Sequence, residues 1–161
     1  MQIAVVSDTH GHLEFTREAT RILDELKIEA VIHCGDIGSI SVVSLFGNWP
    51  THFVFGNVDT HNMSQLQAAI ESAGQTCHGR FGQLTLAEQR IAFLHSDDHR
   101  LFQQTIASGE WDLVCYGHTH VTESHFVNQT LVMNPGALYR ASPRSFALVD
   151  LPSREITTIT L

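Results

Sequence analysis

Five times along this chain an apolar, β-prone run stops abruptly in a polar cluster beside a small residue. Ile3 to Ser7 runs into Asp8-Thr9-His10-Gly11, Ala30 to Cys34 into Gly35-Asp36-Ile37-Gly38, and Thr51 to Phe55 into Gly56-Asn57-Val58-Asp59. Later, Ile91-Ala92-Phe93-Leu94 meets His95, and Trp111 to Tyr116 meets Gly117-His118-Thr119-His120. Continuous apolar runs of this length belong to strands covered on both faces. Between the first three, Phe15, Ala19, Ile22, Leu23 and Leu26 recur at helical spacing over 13–26. A short helix is expected over 39–46 and another over 64–73, with Ser64 as N-cap and Gly74 as the stop. Strand and helix in alternation specify a parallel sheet with right-handed crossovers.

The second half reads differently. Short strands are expected over 82–87, 90–95, 113–116, 122–127, 130–133, 146–150 and 155–160, interrupted by one helix over 99–108. No linker, repeat or low-complexity tract separates the halves. The expectation is therefore one α/β domain, residues 1–161, of two packed sheets with helices outside.

Composition narrows the partners. A formal charge of −8 disfavours duplex nucleic acid and anionic membranes. No apolar run approaches the ~20 residues of a membrane span, and the N-terminus shows no secretory pattern. The cysteines, Cys34, Cys77 and Cys115, are odd in number and form no C-x-x-C. That usage fits a reducing compartment, so a cytoplasmic location is expected. Oligomeric state is left open.

Ligands of open α/β sheets bind at the C-terminal strand ends. If the strands share one sheet, Asp8, His10, Asp36, Asn57, His95, His118 and His120 converge there. Four imidazoles, two carboxylates and one amide exceed the needs of one four-coordinate ion. They fit two ions with a shared carboxylate, since a carboxylate has lone pairs enough to bridge. Gly117 is expected to give its loop backbone freedom. Imidazole-rich donor sets suit manganese, iron, zinc, nickel or cobalt better than magnesium or calcium.

In order, these residues give D-x-H, GD, GN, H and GHxH across nearly the whole chain. The pattern resembles the calcineurin-like metallophosphoesterase superfamily, and Ser7-Asp8-Thr9-His10-Gly11 with the short chain resembles its small phosphodiesterase branch. The resemblance implies an αββα sandwich of two mixed sheets flanked by helices. It implies one divalent ion on Asp8, His10, Asp36 and His120 and a second on Asp36, Asn57, His95 and His118, manganese foremost. The activity implied is hydrolysis of a small phosphodiester by a metal-bridging hydroxide, with Asp36 and Asn57 at the reacting phosphate. A non-catalytic protein-binding scaffold and a phosphomonoesterase are the alternative readings.

Two departures stand out. Val58 takes the place where many members carry a leaving-group histidine. His12, His61 and His99 are the candidate substitutes, and Asp59 is a candidate acceptor orienting a ligand imidazole. Ser96 follows His95 where glycine is usual, so a left-handed backbone there would be strained. Asp97 and Asp98 are read as a turn opening the next helix. Asn134-Pro135-Gly136-Ala137 is read as a turn. Of the loop arginines Arg140 and Arg144, Arg144 is the chosen substrate-phosphate contact alongside Asn57.

Overall fold

After Gln2, the consecutive residues Ile3 to Val6 of β1 (Gln2–Val6) are apolar, and both faces of the strand are covered. The chain continues through α1 (Leu13–Asp24), β2 (Ala30–His33), α2 (Ile40–Val43), β3 (Thr51–Phe53), α3 (Met63–Ser72) and β4 (Thr76–Cys77). Then come β5 (Phe81–Leu86), β6 (Gln89–Leu94), α4 (His99–Ala107), β7 (Leu113–Tyr116), β8 (Thr122–Val127), β9 (Thr130–Pro135), β10 (Ser145–Asp150) and β11 (Glu155–Thr160). The structure is a computed structural model and describes residues 1–161.

Two mixed sheets result. The first has the order β11-β10-β1-β2-β3-β4, with β1, β2, β3 and β4 parallel and β10 antiparallel to β1. The second has the order β5-β6-β7-β9-β8, with β6, β7 and β9 parallel. Alternation then sorts side chains into layers. Ile3, Val5 and Ile32 face Phe93, Cys115 and Met133 between the sheets. Ala4, Val6, Val31 and Phe53 face outward beneath Leu23 of α1, Val43 of α2 and Ile70 of α3. Leu94, Val114 and Val132 lie beneath Ile106 of α4. Helix, sheet, sheet, helix is the layered arrangement that the resemblance implies. Each fully buried Ile or Phe at these positions is worth about 1.5–3 kcal/mol of desolvation.

Most expected elements form within a few residues of their predicted ends. One cap differs: α3 starts at Met63, so Ser64 lies inside it, and Asn62 at the cap position makes no side-chain bond. The helix expected over 39–46 divides into α2 and a 3-10 turn, Ser44–Phe46, while the short strand β4 and the 3-10 turn Val58–His61 were not expected. Their few residues leave too short a periodic pattern to read.

His33 ties the first two strand ends together. It is fully buried, with Nε2 3.1 Å from Thr9 Oγ1, while its Nδ1 accepts from the Gly35 N–H at 3.3 Å. Thr9 Oγ1 donates to the Ile37 carbonyl at 3.0 Å, which leaves His33 Nε2–H as the donor to Thr9. Burial pushes the His33 pKa down from 6.5 to about 4. Below 6.5 the unfolded chain takes up a proton that the native state refuses, so stability falls as pH drops from 6.5 towards 4 and is flat above. This one group accounts for about 3 kcal/mol across that window. Urea unfolding of the metal-free protein at about pH 7 and about pH 4.5 is expected to show a loss that His33→Gln shares only in reduced measure.

Candidate metal centre

β1 and β2 leave the first sheet side by side, and their loops are laced by backbone bonds. The N–H groups of Asp8, His10 and Gly11 donate to the carbonyls of Gly35, Asp36 and Ile37 at 3.1, 2.9 and 2.8 Å. Asp8, His10, Asp36, His118 and His120 all have positive φ, from 46° to 79°. For non-glycine residues such backbone costs on the order of 1–3 kcal/mol each and gathers at functional sites.

Five side chains meet where those loops converge. His120 Nε2 lies 3.0 Å from Asp8 Oδ1, and His10 Nε2 lies 3.6 Å from Asp8 Oδ1 and 3.5 Å from Asp36 Oδ2. His95 Nε2 lies 3.2 Å from Asp36 Oδ2 and 3.9 Å from Asp8 Oδ1. The two groupings that could hold a cation are Asp8, His10 and His120, and Asp8, Asp36 and His95.

The remaining atoms of these groups are already engaged. Asp8 Oδ2 accepts from the Ser7 hydroxyl and the His118 N–H, and Asp36 Oδ1 accepts from the Val58 N–H at 2.9 Å. His95 Nδ1 donates to the Cys34 carbonyl at 2.9 Å, and His120 Nδ1 to the Arg140 carbonyl at 3.3 Å. A carbonyl can only accept, so each neutral ring turns a bare Nε2 lone pair inward. Asp8 Oδ1 and His95 Nε2 are buried and have no hydrogen-bond partner. Orphaned buried acceptors are expensive, and a cation between them removes that cost. The donor set thus fits a metal.

Charge follows from this crowding. Burial would raise Asp8, but the nearby imidazoles of His10, His95 and His120 and the Ser7 hydroxyl hold it below the usual carboxylate range. Asp36 is lowered likewise, against burial, by His95 and the Val58 N–H. Burial would lower His95, but the Asp36 and Asp8 carboxylates raise it above ordinary imidazole.

Two glycines make the approach close enough. A Cβ on Gly117 would sit 2.0 Å from Ser7 Oγ and 2.9 Å from Asp8 Oδ2. Gly117 has no positive φ, so its need is space, not the backbone freedom expected from sequence. A Cβ on Gly56 would sit 2.1 Å from Asp36 Oδ1.

The other expected site residues are placed variously. The His118 ring packs edge-on against His95, with centroids 5.1 Å apart, and is exposed on its outer side. Asn57 is exposed at the mouth, beside Val58, and its side chain makes no hydrogen bond to the five. The donors come from both sheets, not one: Asp8, Asp36 and Asn57 from the first, His95, His118 and His120 from the second.

Some expectations fail. Asp59 orients no imidazole; its carboxylate is buried and accepts from the N–H groups of Ile37, Gly38 and Gly56 at 3.1, 2.8 and 2.9 Å. It pins the loops after β2 and β3 together, because one carboxylate accepts from amides of both. Arg144 is engaged elsewhere, 2.8 Å from Glu18 and with its guanidinium 3.7 Å from the Phe15 ring centre. His12 caps α1, accepting at Nδ1 from the Phe15 N–H, and packs against Phe15 and Tyr139. His61 and His99 are exposed and make no contact with the cluster. Ser96 has φ of 75°, so the turn keeps the shape glycine favours, and its hydroxyl donates to the Gly117 carbonyl at 3.0 Å. Asp98 caps α4, as expected, and Asp97 pairs with Arg80.

Asn134 is more than a turn residue. Buried, it donates to the Gly117 carbonyl at 3.2 Å and to Thr119 Oγ1 at 3.1 Å, fixing the histidine loop. Ser7, which holds Asp8, was likewise missed. Neither carries a charge or a spacing that marks it in one sequence.

A family model of the calcineurin-like phosphoesterase superfamily domain matches residues 1–154. The chain is similar to Phosphodiesterase MJ0936 of Methanocaldococcus jannaschii, 29% identical over 100% of this chain and 99% of that protein. A solved archaeal phosphodiesterase superposes with a TM-score of 0.92 at 29% identity, covering 100% of both chains. Vacuolar Protein Sorting 29 from Cryptosporidium parvum shares the fold, with a TM-score of 0.71, 21% identity and coverage of 99% and 96%. With its motifs spread over the whole length and its matching residues extending from 1 to 154, the chain belongs to the calcineurin-like phosphoesterase superfamily.

Proposed function

We propose that this chain is a metal-dependent phosphodiesterase acting on a small phosphodiester, its single domain spanning residues 1–161. The observation that carries the reading is the pair of orphaned buried atoms, Asp8 Oδ1 and His95 Nε2, among three more convergent donors. Two divalent transition ions, manganese foremost, would be held by Asp8, His10, Asp36 and His120 and by Asp36, Asn57, His95 and His118. Asp36 is the shared carboxylate in this reading, one of its oxygens lying close to both His10 and His95, while Asp8 is common to the two groupings that the geometry gives. When bound, such ions acidify a water and offset charge on the phosphoryl oxygens.

The protein's own groups do the rest. Ser7, Val58 N–H and the Cys34 and Arg140 carbonyls orient the donors before substrate arrives, so no reorganisation is needed at reaction. Asn57, exposed at the mouth, has an NH₂ free to donate to phosphate. Val58 offers no proton, and His12 is committed at Nδ1 to its helix cap. Leaving groups must therefore depart with little help, which favours aryl and other acidic leaving groups. The three free thiols suit a reducing cytoplasm, and no helix is long and apolar enough to cross a membrane.

The fold shared with Vacuolar Protein Sorting 29 supports a second reading, a protein-binding scaffold. Metal content separates the two. About two transition ions per chain are expected by elemental analysis after manganese loading; a chain that takes up none belongs with the scaffolds.

Asp36→Asn and His120→Ala are each expected to cut hydrolysis of bis(p-nitrophenyl) phosphate at least about 10²-fold, with circular dichroism unchanged. Undiminished rates in both would refute the shared-carboxylate arrangement.

His95 must give up its proton to ligate. Its pKa is raised, so metal affinity should strengthen as pH rises through 6.5 and above, and loading in weak buffer should release protons. Calorimetry in two buffers of different ionisation enthalpy measures that release.

Chelation should also abolish phosphate binding, because the bare site presents carboxylates in a protein of charge −8. Calorimetric titration of the apoprotein with inorganic phosphate checks this.

A further inference from the structure

The side chains that meet at the site include no arginine or lysine, and the structure shows where one is held beside them. Arg80, Arg90 and Arg144 are each paired with a carboxylate, and Arg154 donates to two backbone carbonyls. The other cations apart from Arg140 lie on α1, on α4 or just after α1. Arg140 is different: it is exposed, and its guanidinium has no hydrogen bond and no carboxylate within 4.0 Å.

Its position is set from the metal centre outward. The Arg140 carbonyl accepts the Nδ1–H of His120, and the preceding Tyr139 N–H donates to the Asp8 carbonyl at 3.1 Å. The Tyr139 ring lies 5.7 Å from the His10 ring, and the Arg140 guanidinium rests 5.4 Å from the Tyr139 ring centre. His12 packs against Tyr139 at 5.0 Å, bracing it from α1. Arg140 also has φ of 54°, a left-handed backbone that an arginine adopts only where its surroundings impose it. So a free, permanently charged fork is carried on an aromatic ring that itself borders His10, a candidate metal-binding imidazole. Exposed arginine normally finds a carboxylate or pure solvent; one fixed through its backbone to a site histidine has a defined reach.

We infer that Arg140 binds the non-bridging oxygens of the substrate phosphodiester and sets the affinity of this site for phosphate oxyanions. This rests on the phosphodiesterase reading. A guanidinium pairs with two phosphate oxygens at once and stays charged at every working pH. It offsets charge without giving a proton, which complements a site with valine at position 58. Tyr139 acts as its support, and Arg144, on Glu18 and Phe15, takes no part.

The test uses the manganese-loaded full chain as wild type, Arg140→Gln and Arg140→Lys. Both variants keep the backbone carbonyl that His120 uses and a long stem. Calorimetry with inorganic phosphate is expected to show binding weakened about tenfold or more in Arg140→Gln and partly restored in Arg140→Lys, charge-assisted bonds being worth that much. Elemental analysis should give equal metal content in all three. kcat/KM for bis(p-nitrophenyl) phosphate should fall in the same order. Phosphate affinity in Arg140→Gln equal to wild type overturns the inference, and so does a loss of metal in that variant, which would make Arg140 a support for His120 only. A wild-type chain that takes up no metal overturns the underlying reading instead, and is told apart because it appears before any variant is made.

Discussion

Two buried carboxylates facing each other's imidazoles are the constraint around which the rest of the molecule is arranged. Asp8 and Asp36 would repel if left alone in an interior of low dielectric. They are tolerated because each spends one oxygen on fixed donors and turns the other towards a ring of histidines. That leaves lone pairs without partners at Asp8 Oδ1 and His95 Nε2. A folded chain keeps such groups only where something positive completes them or where the surrounding fold is strong enough to hold them. Here the fold holds them from both sheets.

The loops bear the cost. Five of the seven expected donors sit on left-handed backbone, a conformation with single-residue penalties of about 1–3 kcal/mol. Compensation is local: backbone bonds lace the β1 and β2 loops, Asp59 gathers three amides, Asn134 clamps the histidine loop, and Ser96 bonds Gly117. Beneath them lies a dry inter-sheet layer of Ile, Val, Phe, Leu and Met that does not yield. Strain at the rim and close packing below are the two halves of one preorganised site.

The absence of an acid at Val58 gives the site its chemical character. Its neighbours offer orientation and fixed charge, from Asn57 and the Tyr139–Arg140 pair, but no proton poised for departure. A hydrolase built in this way depends on its substrate's own leaving group, which links one side chain at the rim to the class of ester it serves.

The amino-acid sequence by itself determined every strand but the two-residue β4, the order of the donor residues and the family. Apolar runs stopping at Asp, Asn or His beside small residues are local patterns, and local patterns survive in one dimension. Helix ends were less legible, as Ser64 shows, because a hydroxyl can cap only where the chain turns. What tertiary structure alone decided was which groups point at which. Periodicity is silent about the pairing of two sheets, and only the folded chain shows that the donors arrive from both. The same silence covers Asp59, whose amide partners come from the loops after two neighbouring strands, and Gly117, whose missing Cβ makes room for Ser7. It covers Arg140 and Arg144 as well: equal as loop arginines in the sequence, they differ because Glu18 reaches one and not the other. Direction and proximity are set by long-range packing, and only the folded chain contains them.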